Sequence, residues 1–384
     1  MGWMLRSSPR RFATGLRAAG LAAGSIAATF LVLEAAVRLI APQDPALFDS
    51  AAFLRIDPRP REPLTLVPGA KGNYAGVPVK IDSLGLRDVE IDPGRPSGAG
   101  RILVVGDSVT FGFGVRLEET YVKRLPLYLP RASGTECVET VNAGVPAAGL
   151  TSYERAVLLL QPRLRPDLIV VGLVLNDVLD YDTVVDPSRR EAAVGGSVLA
   201  SANQTLLRLS HLYLLSYMRA KSLLYETGIL DINEVYRDHF LTLEPPSPVQ
   251  ARAWASASRH LASLAAAARG EGVPLALVIF PLEPQLDAAR LNTYRTCLGL
   301  RAGDEALEGL PQKRLLKEAR ALGVPALDLL PAFRRSGRTD LYLRNRSITF
   351  DWIHLSPEGH DLAAKEIATW MASEEVQWPH GRLK

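Results

Sequence analysis

At 384 residues, 47% of them hydrophobic and 22% charged, the chain is long enough for one large α/β domain with appendages and can bury a sizeable core. The formal net charge of +3 is small, and beyond the first forty positions basic residues are interleaved with acidic ones, which gives nucleic-acid binding no support. Only two cysteines, Cys137 and Cys297, are present: too few for a disulfide scaffold or a zinc cluster, and open between buried free thiols and a single bridge.

The first predicted element is a membrane-crossing helix. Arg6, Arg10, Arg11 and Arg17 precede an uncharged run from Ala18 to Leu33, and apolar character resumes after Glu34 as far as Ile40. The uninterrupted run is slightly short for a span of ~20 residues, but Glu34 and Arg38 fall on one helical face, where they can pair near the far interface while Arg38 reaches outward. The basic flank then stays cytoplasmic and the chain from Pro42 onward lies outside. A cleaved signal peptide is the rival reading, although no clean small-x-small site precedes Pro42; an amphipathic core helix is the plain alternative. Residues 1–41 are accordingly assigned to a cytoplasmic flank and signal anchor. Residues 42–100 read as a stalk rich in Pro, Arg, Gly and Asp, with a β-like patch from Tyr74 to Ile81 and an entrance hairpin near Ser83-Leu84-Gly85-Leu86-Arg87-Asp88.

From 101 to 374 strand-like and helix-like stretches alternate. Strands are predicted at Ile102 to Gly106, Val138 to Asn142, Leu168 to Val174, Leu275 to Phe280 and Ala326 to Leu329. Helices are predicted at Glu118 to Leu129, Ser152 to Leu160, Gln250 to Arg269, Lys313 to Ala321 and Pro357 to Met371. Such alternation demands a parallel sheet covered on both faces, an α/β/α sandwich of three layers. An insertion, 178–248, carries an apolar, helical middle from Leu206 to Tyr225; it reads as an extra packed helix, with a lid over the site or an interfacial helix as alternatives. His211 within it reads as a core or interface histidine. Residues 375–384 form a C-terminal tail.

The chemistry gathers at strand ends. The run Arg101 to Ser108 ends in Gly-Asp-Ser and presents the Ser108 hydroxyl where open α/β sheets keep their sites. A serine hydroxyl is a weak nucleophile, so it needs an imidazole as base and a carboxylate to orient that base; Asp351 and His354, within Asp351-Trp352-Ile353-His354, supply both. Donors for an oxyanion are expected from the backbone N–H of Gly144, after the strand ending Asn142-Ala143, and from the side-chain amide of Asn176 in Asn176-Asp177. Each signal alone has a plain structural reading: Ser108 as a helix cap, Asn176-Asp177 as a turn, Asp351/His354 as a solvated pair. His354 with His360 fits no usual zinc spacing. The elbow of α/β-hydrolases, Gly-x-Ser-x-Gly, lacks its second glycine here. A flavodoxin-like cofactor loop through Ser108, Thr110, Gly112 and Gly114 leaves Asp351 and His354 without a role.

Taken in order, Ser108, Gly144, Asn176 and His354 resemble the four blocks of the SGNH hydrolases, also called the GDSL esterase/lipase family, over roughly Ile81 to Trp370. The resemblance implies a flavodoxin-like five-stranded parallel sheet in the order 2-1-3-4-5. It implies Ser108 as nucleophile and, through its own N–H, an oxyanion donor; Gly144 and Asn176 as the other donors; His354 as base and Asp351 as its partner. The third block departs from the usual Gly-x-Asn-Asp, with Val174 at the glycine position and Gly172 the nearest glycine. Similar Ser-Leu-Gly-x-Arg-Asp segments precede the serine block in membrane-associated bacterial members. The expected activity is hydrolysis, or transfer, of acyl groups on envelope glycans or lipids by an extracytoplasmic, membrane-anchored enzyme requiring neither metal nor organic cofactor. O-acyl transfer to polysaccharide and a catalytically silent glycan-binding scaffold are the alternatives.

Overall fold

Apolar runs without internal charge are buried on both faces only when helices cover both sides of the sheet they build. The structure is a computed structural model and describes residues 9–45, 54–55, 65–94, 99–129, 137–179, 198–344, 351–373 and 376. In chain order, α1 (Pro9–Ile40) precedes two antiparallel strand pairs, β1 (Leu54–Arg55) with β2 (Thr65–Leu66) and β3 (Lys71–Tyr74) with β4 (Val77–Lys80). There follow β5 (Ala99–Gly106), α2 (Ser108–Phe111), α3 (Tyr121–Tyr128), β6 (Cys137–Gly144), α4 (Leu150–Leu164) and β7 (Leu168–Val174). The insertion holds α5 (Val198–Leu209), α6 (His211–Glu226), α7 (Ile232–Val235) and α8 (Arg237–Phe240). Beyond it lie α9 (Pro248–Gly270), β8 (Leu275–Phe280), α10 (Ala288–Leu298), α11 (Leu310–Ala321), β9 (Ala326–Asp328), α12 (Leu330–Arg335) and α13 (Pro357–Met371).

Strands β5 to β9 form one parallel sheet in the order β6-β5-β7-β8-β9, which is the expected 2-1-3-4-5 arrangement. All seven residues of β7 are buried, as befits the central strand. Helix α3 packs against α13, and α4 against α9, so that the sheet lies between two helical layers. The parallel register sets three glycines in a row at the carboxyl edge: Gly106 of β5 is flanked by Gly144 of β6 and Gly172 of β7. A methyl group on Gly106 would lie 2.0 Å from Thr110 Oγ1, and one on Gly172 would lie 2.4 Å from the Tyr121 hydroxyl. The row is therefore a recess into which α2 and Tyr121 descend.

Helix boundaries follow local caps. Helix α3 begins at Tyr121, later than the expected Glu118, because the Thr120 hydroxyl accepts the Lys123 N–H at 3.3 Å and leaves Leu117–Glu119 as a separate turn. The single helix expected across Leu206 to Tyr225 is two helices. Ser210 adopts an extended backbone and its hydroxyl accepts the Tyr213 N–H at 3.0 Å, which starts α6 afresh. Much of the stalk, residues 180–197 of the insertion and, apart from Val376, the 375–384 tail lie outside the described residues.

Among the described residues, Arg17–Ile40 within α1 is the helix long and apolar enough to cross a membrane. Glu34 pairs with Arg38 at 2.7 Å, as expected. The same carboxylate also accepts the Ser210 hydroxyl at 2.8 Å and the first-turn N–H groups of His211 and Leu212 at 3.0 and 2.9 Å. Arg38, instead of reaching outward, donates to the Leu209 carbonyl at 2.9 Å. The end of α1 is thus bonded to the start of α6, whose orphan N–H groups it satisfies. His211 lies at this interface, its Nδ1 accepting the Gln43 N–H at 2.9 Å.

Candidate active site

The site begins with α2. Asp107 is its N-cap, accepting the Val109 N–H at 2.8 Å, so Ser108 is the first helical residue and not the cap. Its first-turn N–H has no acceptor within the helix. Burial raises the Asp107 carboxyl above its ordinary range against the opposing pull of the Val109 N–H, the His354 imidazole, and the Ser108 and Asn176 side chains. The far end of α2 is held by Arg87 from the entrance segment. Fully buried, Arg87 donates to the carbonyls of Phe111, Gly112 and Val115 at 2.8, 2.5 and 2.7 Å, and burial lowers its pKa to about 10. The next residue, Asp88, accepts the Asn142 N–H at 2.8 Å and pairs with Lys123. The Ser83–Asp88 segment, expected as an entrance hairpin, therefore ties α2, which carries Ser108, to β6.

Ser108, His354 and Asp351 meet although 246 positions separate the first two. Ser108 Oγ lies 2.9 Å from His354 Nε2, and His354 Nδ1 lies 2.9 Å from Asp351 Oδ2. Asp351 Oδ1 accepts the N–H groups of Ile353 and His354 at 3.1 and 2.9 Å, which folds the Asp-x-x-His segment on itself. Burial alone would raise the Asp351 carboxyl, yet the imidazole and these two N–H groups hold it below the usual carboxylate range. Burial alone would lower His354, but the charge and hydrogen bond of Asp351, with Asp107 behind it, raise the imidazole above its ordinary value. Phe113 stacks on the His354 ring with centroids 4.1 Å apart. The segment is braced from behind: Glu283 donates its N–H to the Trp352 carbonyl at 3.0 Å, and Arg344, paired with Glu283, donates to the Asp351 carbonyl at 3.0 Å.

The two expected oxyanion donors fare differently. Asn176 sits in the turn Leu175–Val178, its amide against the Asp107 carboxylate and its Oδ1 buried without a partner. An amide has two N–H groups, so one is available beyond Asp107. Asp177 Oδ2 fixes this turn by accepting the Val174 N–H and the Tyr153 hydroxyl, each at 2.8 Å. Val174 at the usual glycine position is accommodated there as a buried strand residue. The Gly144 N–H is donated to Asn142 Oδ1 at 3.0 Å. What Gly144 provides is space, because a methyl group there would lie 2.1 Å from the Phe111 backbone nitrogen. The loop that follows contains Ala147 in the left-handed region, φ 60°, and exposed.

His360 stays apart from the site's open side. It is fully buried, its Nδ1 accepts the Tyr121 N–H at 3.1 Å, and burial depresses its pKa to about 3. Cys137 and Cys297 are both free thiols. Phe113, Arg344 and Glu283 carry no local motif and are not signalled by the sequence, whereas Asp177 is visible there only as the neighbour of Asn176 in a turn-like pair.

Residues 104–362 match the model of the GDSL-like lipase/acylhydrolase family, well over half of the chain. Among solved structures, a catalytic mutant of an acetylxylan esterase from Geobacillus stearothermophilus is similar at 16% identity and a TM-score of 0.38, covering 72% of this chain and 96% of that one. The psychrotrophic esterase EstA from a Pseudoalteromonas species is similar at 13% identity and a TM-score of 0.35, covering 71% of this chain and 100% of that one. A search of curated proteins found no match.

Proposed function

The chain belongs to the GDSL-like lipase/acylhydrolase family, and from that premise we propose that it is a serine carboxylic ester hydrolase in which Ser108, His354 and Asp351 act as a triad. The observation that carries this reading is the unbroken relay from Ser108 Oγ through both nitrogens of His354 to Asp351 Oδ2, each link 2.9 Å long. Ser108 Oγ attacks the ester carbonyl carbon and its proton passes to His354 Nε2. Asp351 accepts the Nδ1 hydrogen bond, fixes the tautomer and stabilises the imidazolium. The oxyanion is met by the Ser108 N–H and by Asn176 Nδ2, one such donor being worth roughly 3 kcal/mol. His354 then returns the proton to the leaving alcohol, and a water activated by the same imidazole cleaves the acyl-enzyme.

The location proposed is a membrane surface, with α1 as anchor, the arginine-rich flank inside and the hydrolase domain outside. Its support is the apolar length of Arg17–Ile40 and the bonding of Glu34 to the first turn of α6, which brings the anchor's outer end to the insertion. From that location, O-acyl esters of envelope glycans or lipids are the proposed substrates.

Fluorophosphonate labelling of the full-length protein tests the nucleophile. The native chain should label, and both Ser108→Ala and His354→Ala should not; labelling that survives Ser108→Ala refutes the assignment.

A further inference from the structure

A cavity of about 300 Å³ opens beside His354 and runs past Phe113 to a wall formed by α6. Tyr217, Met218, Lys221, Ser222 and Tyr225 recur at the spacing of one helical face, and that face lines the cavity. Two polar groups on this wall are not fully used by the protein. The Lys221 ammonium donates to the Tyr236 hydroxyl at 2.9 Å and lies 5.9 and 5.4 Å from the ring centroids of Tyr225 and Tyr236. It has three donors and a full charge, yet among the described residues no carboxylate pairs with it. Asp351, which lines the same cavity, is already engaged by His354 and two backbone N–H groups. The buried Tyr225 hydroxyl stands beside that of Tyr236 without reaching hydrogen-bond geometry with any group.

A half-buried cation held by neutral partners and a hydroxyl left without a partner both carry a desolvation cost that an anionic oxygen would offset. We propose that the α6 wall is an anion subsite: the ester attacked by Ser108 carries a carboxylate or phosphate that binds Lys221 Nζ and the Tyr225 hydroxyl, with its apolar portion between the surrounding aromatic side chains. The proposal rests on the reading of this cavity as the substrate site of a serine hydrolase.

The test uses the full-length protein in neutral detergent and two pairs of esters. An aryl hemiglutarate against its methyl-capped form places a carboxylate on the acyl side; 1-acetylglycerol 3-phosphate against 1-acetylglycerol places a phosphate on the alcohol side. In at least one pair the anionic member should be favoured about tenfold or more in kcat/KM through a lower KM. Lys221→Met should abolish that ratio, Lys221→Glu reverse it, Lys221→Arg retain most of it and Tyr225→Phe weaken it. The favoured pair identifies the side that bears the charge. No preference in either pair, or a preference that survives Lys221→Met, overturns the subsite and indicates that the aromatic wall holds neutral groups. Calorimetric titration of Ser108→Ala with the same esters reads binding without turnover. Anion affinity there, lost when Lys221→Met is added, upholds the subsite even if the native chain neither labels nor hydrolyses, whereas its absence overturns the subsite while labelling stands.

Discussion

Asp177 Oδ2 accepts the backbone N–H of Val174 at 2.8 Å and so closes the turn from which Asn176 projects. The same oxygen takes the Tyr153 hydroxyl, also at 2.8 Å, and the carboxylate is buried. Removing it frees the turn, takes this acceptor from the buried Val174 N–H and leaves the Tyr153 hydroxyl with a long 3.4 Å contact to the Ala148 carbonyl. Asp177→Ala should therefore cost about 1.5–3 kcal/mol of stability. It should also lower kcat on the order of a hundredfold with little change in KM, close to the effect of Asn176→Ala itself. Denaturant midpoints and steady-state kinetics on both variants check this; full activity in Asp177→Ala would mean that the amide of Asn176 is positioned by something else.

The row of glycines under α2 gives a sharper discrimination. Gly144→Ala keeps the backbone N–H but adds a methyl that would meet Phe111 nitrogen at 2.1 Å, the Thr110 carbonyl carbon at 2.6 Å and Phe111 Cα at 2.7 Å, all backbone. Overpacking of this kind costs about 1–3 kcal/mol, and here it must lift the helix that carries Ser108. Gly144→Ala should lower the Tm and abolish fluorophosphonate labelling together.

How far the sequence foretold this site depends on whether each feature is local. Gly106-Asp107-Ser108 and Asp351-x-x-His354 were legible because the proposed nucleophile, base and acid require particular residue types, and β5 and β7 were legible from the uncharged apolar runs Ile102 to Gly106 and Leu168 to Val174, short enough for interior strands. The alignment of Gly106, Gly144 and Gly172 was not legible, since it arises from the register of three strands far apart in the chain. That is why the room Gly144 leaves for α2 could not be read from its own segment. Glu34 shows the same division. Its pairing with Arg38 follows from helical spacing, whereas its bonds to Ser210, His211 and Leu212 depend on how two distant helices meet. Phe113 on His354 and Lys221 on the cavity wall are likewise products of tertiary packing with no motif of their own.

Arg87 offers a test of the entrance segment. Its guanidinium satisfies three carbonyls around the end of α2 from a fully buried position and lies 4.6 Å from the centroid of the Phe111 ring. Arg87→Met keeps the bulk but takes this donor from those carbonyls; Gly112 keeps the Val115 N–H at 3.3 Å, and a buried carbonyl left unpaired costs about 1–3 kcal/mol. The expected result is a destabilised protein whose remaining folded fraction has a misplaced Ser108, seen as a lowered Tm and a reduced rate of labelling per folded molecule. Arg87→Lys should recover only part of this, because one ammonium cannot reproduce the planar fork. Native labelling in Arg87→Met would show that Asp107 and the Asn142 amide, which donates to the Thr110 carbonyl at 2.9 Å, suffice to hold α2.

The titration of His354 ties the geometry to a pH profile. In the proposed mechanism attack requires the neutral imidazole, and His354 is raised above its ordinary 6.5 because Asp351 and, behind it, Asp107 outweigh the lowering effect of burial. The acid limb of kcat/KM should therefore have its midpoint above 6.5 and not at or below it, measured from about pH 5 to 9 to bracket the imidazole titration. Asp351 is held below 3.8 and stays ionised throughout that interval. In Asp351→Asn the carboxylate charge is gone and burial dominates, so the limb should move to lower pH while the plateau falls by roughly two to four orders of magnitude through loss of the oriented tautomer. Stability carries the same sign. The raised imidazole contributes fully below its unfolded pKa of about 6.5, and that contribution fades as pH rises through the folded value, so the native chain should lose part of its stability between these two points and Asp351→Asn should not. A native limb at or below 6.5, or one unmoved by Asp351→Asn, would mean that the 2.9 Å contact between Asp351 Oδ2 and His354 Nδ1 does not govern the base in solution.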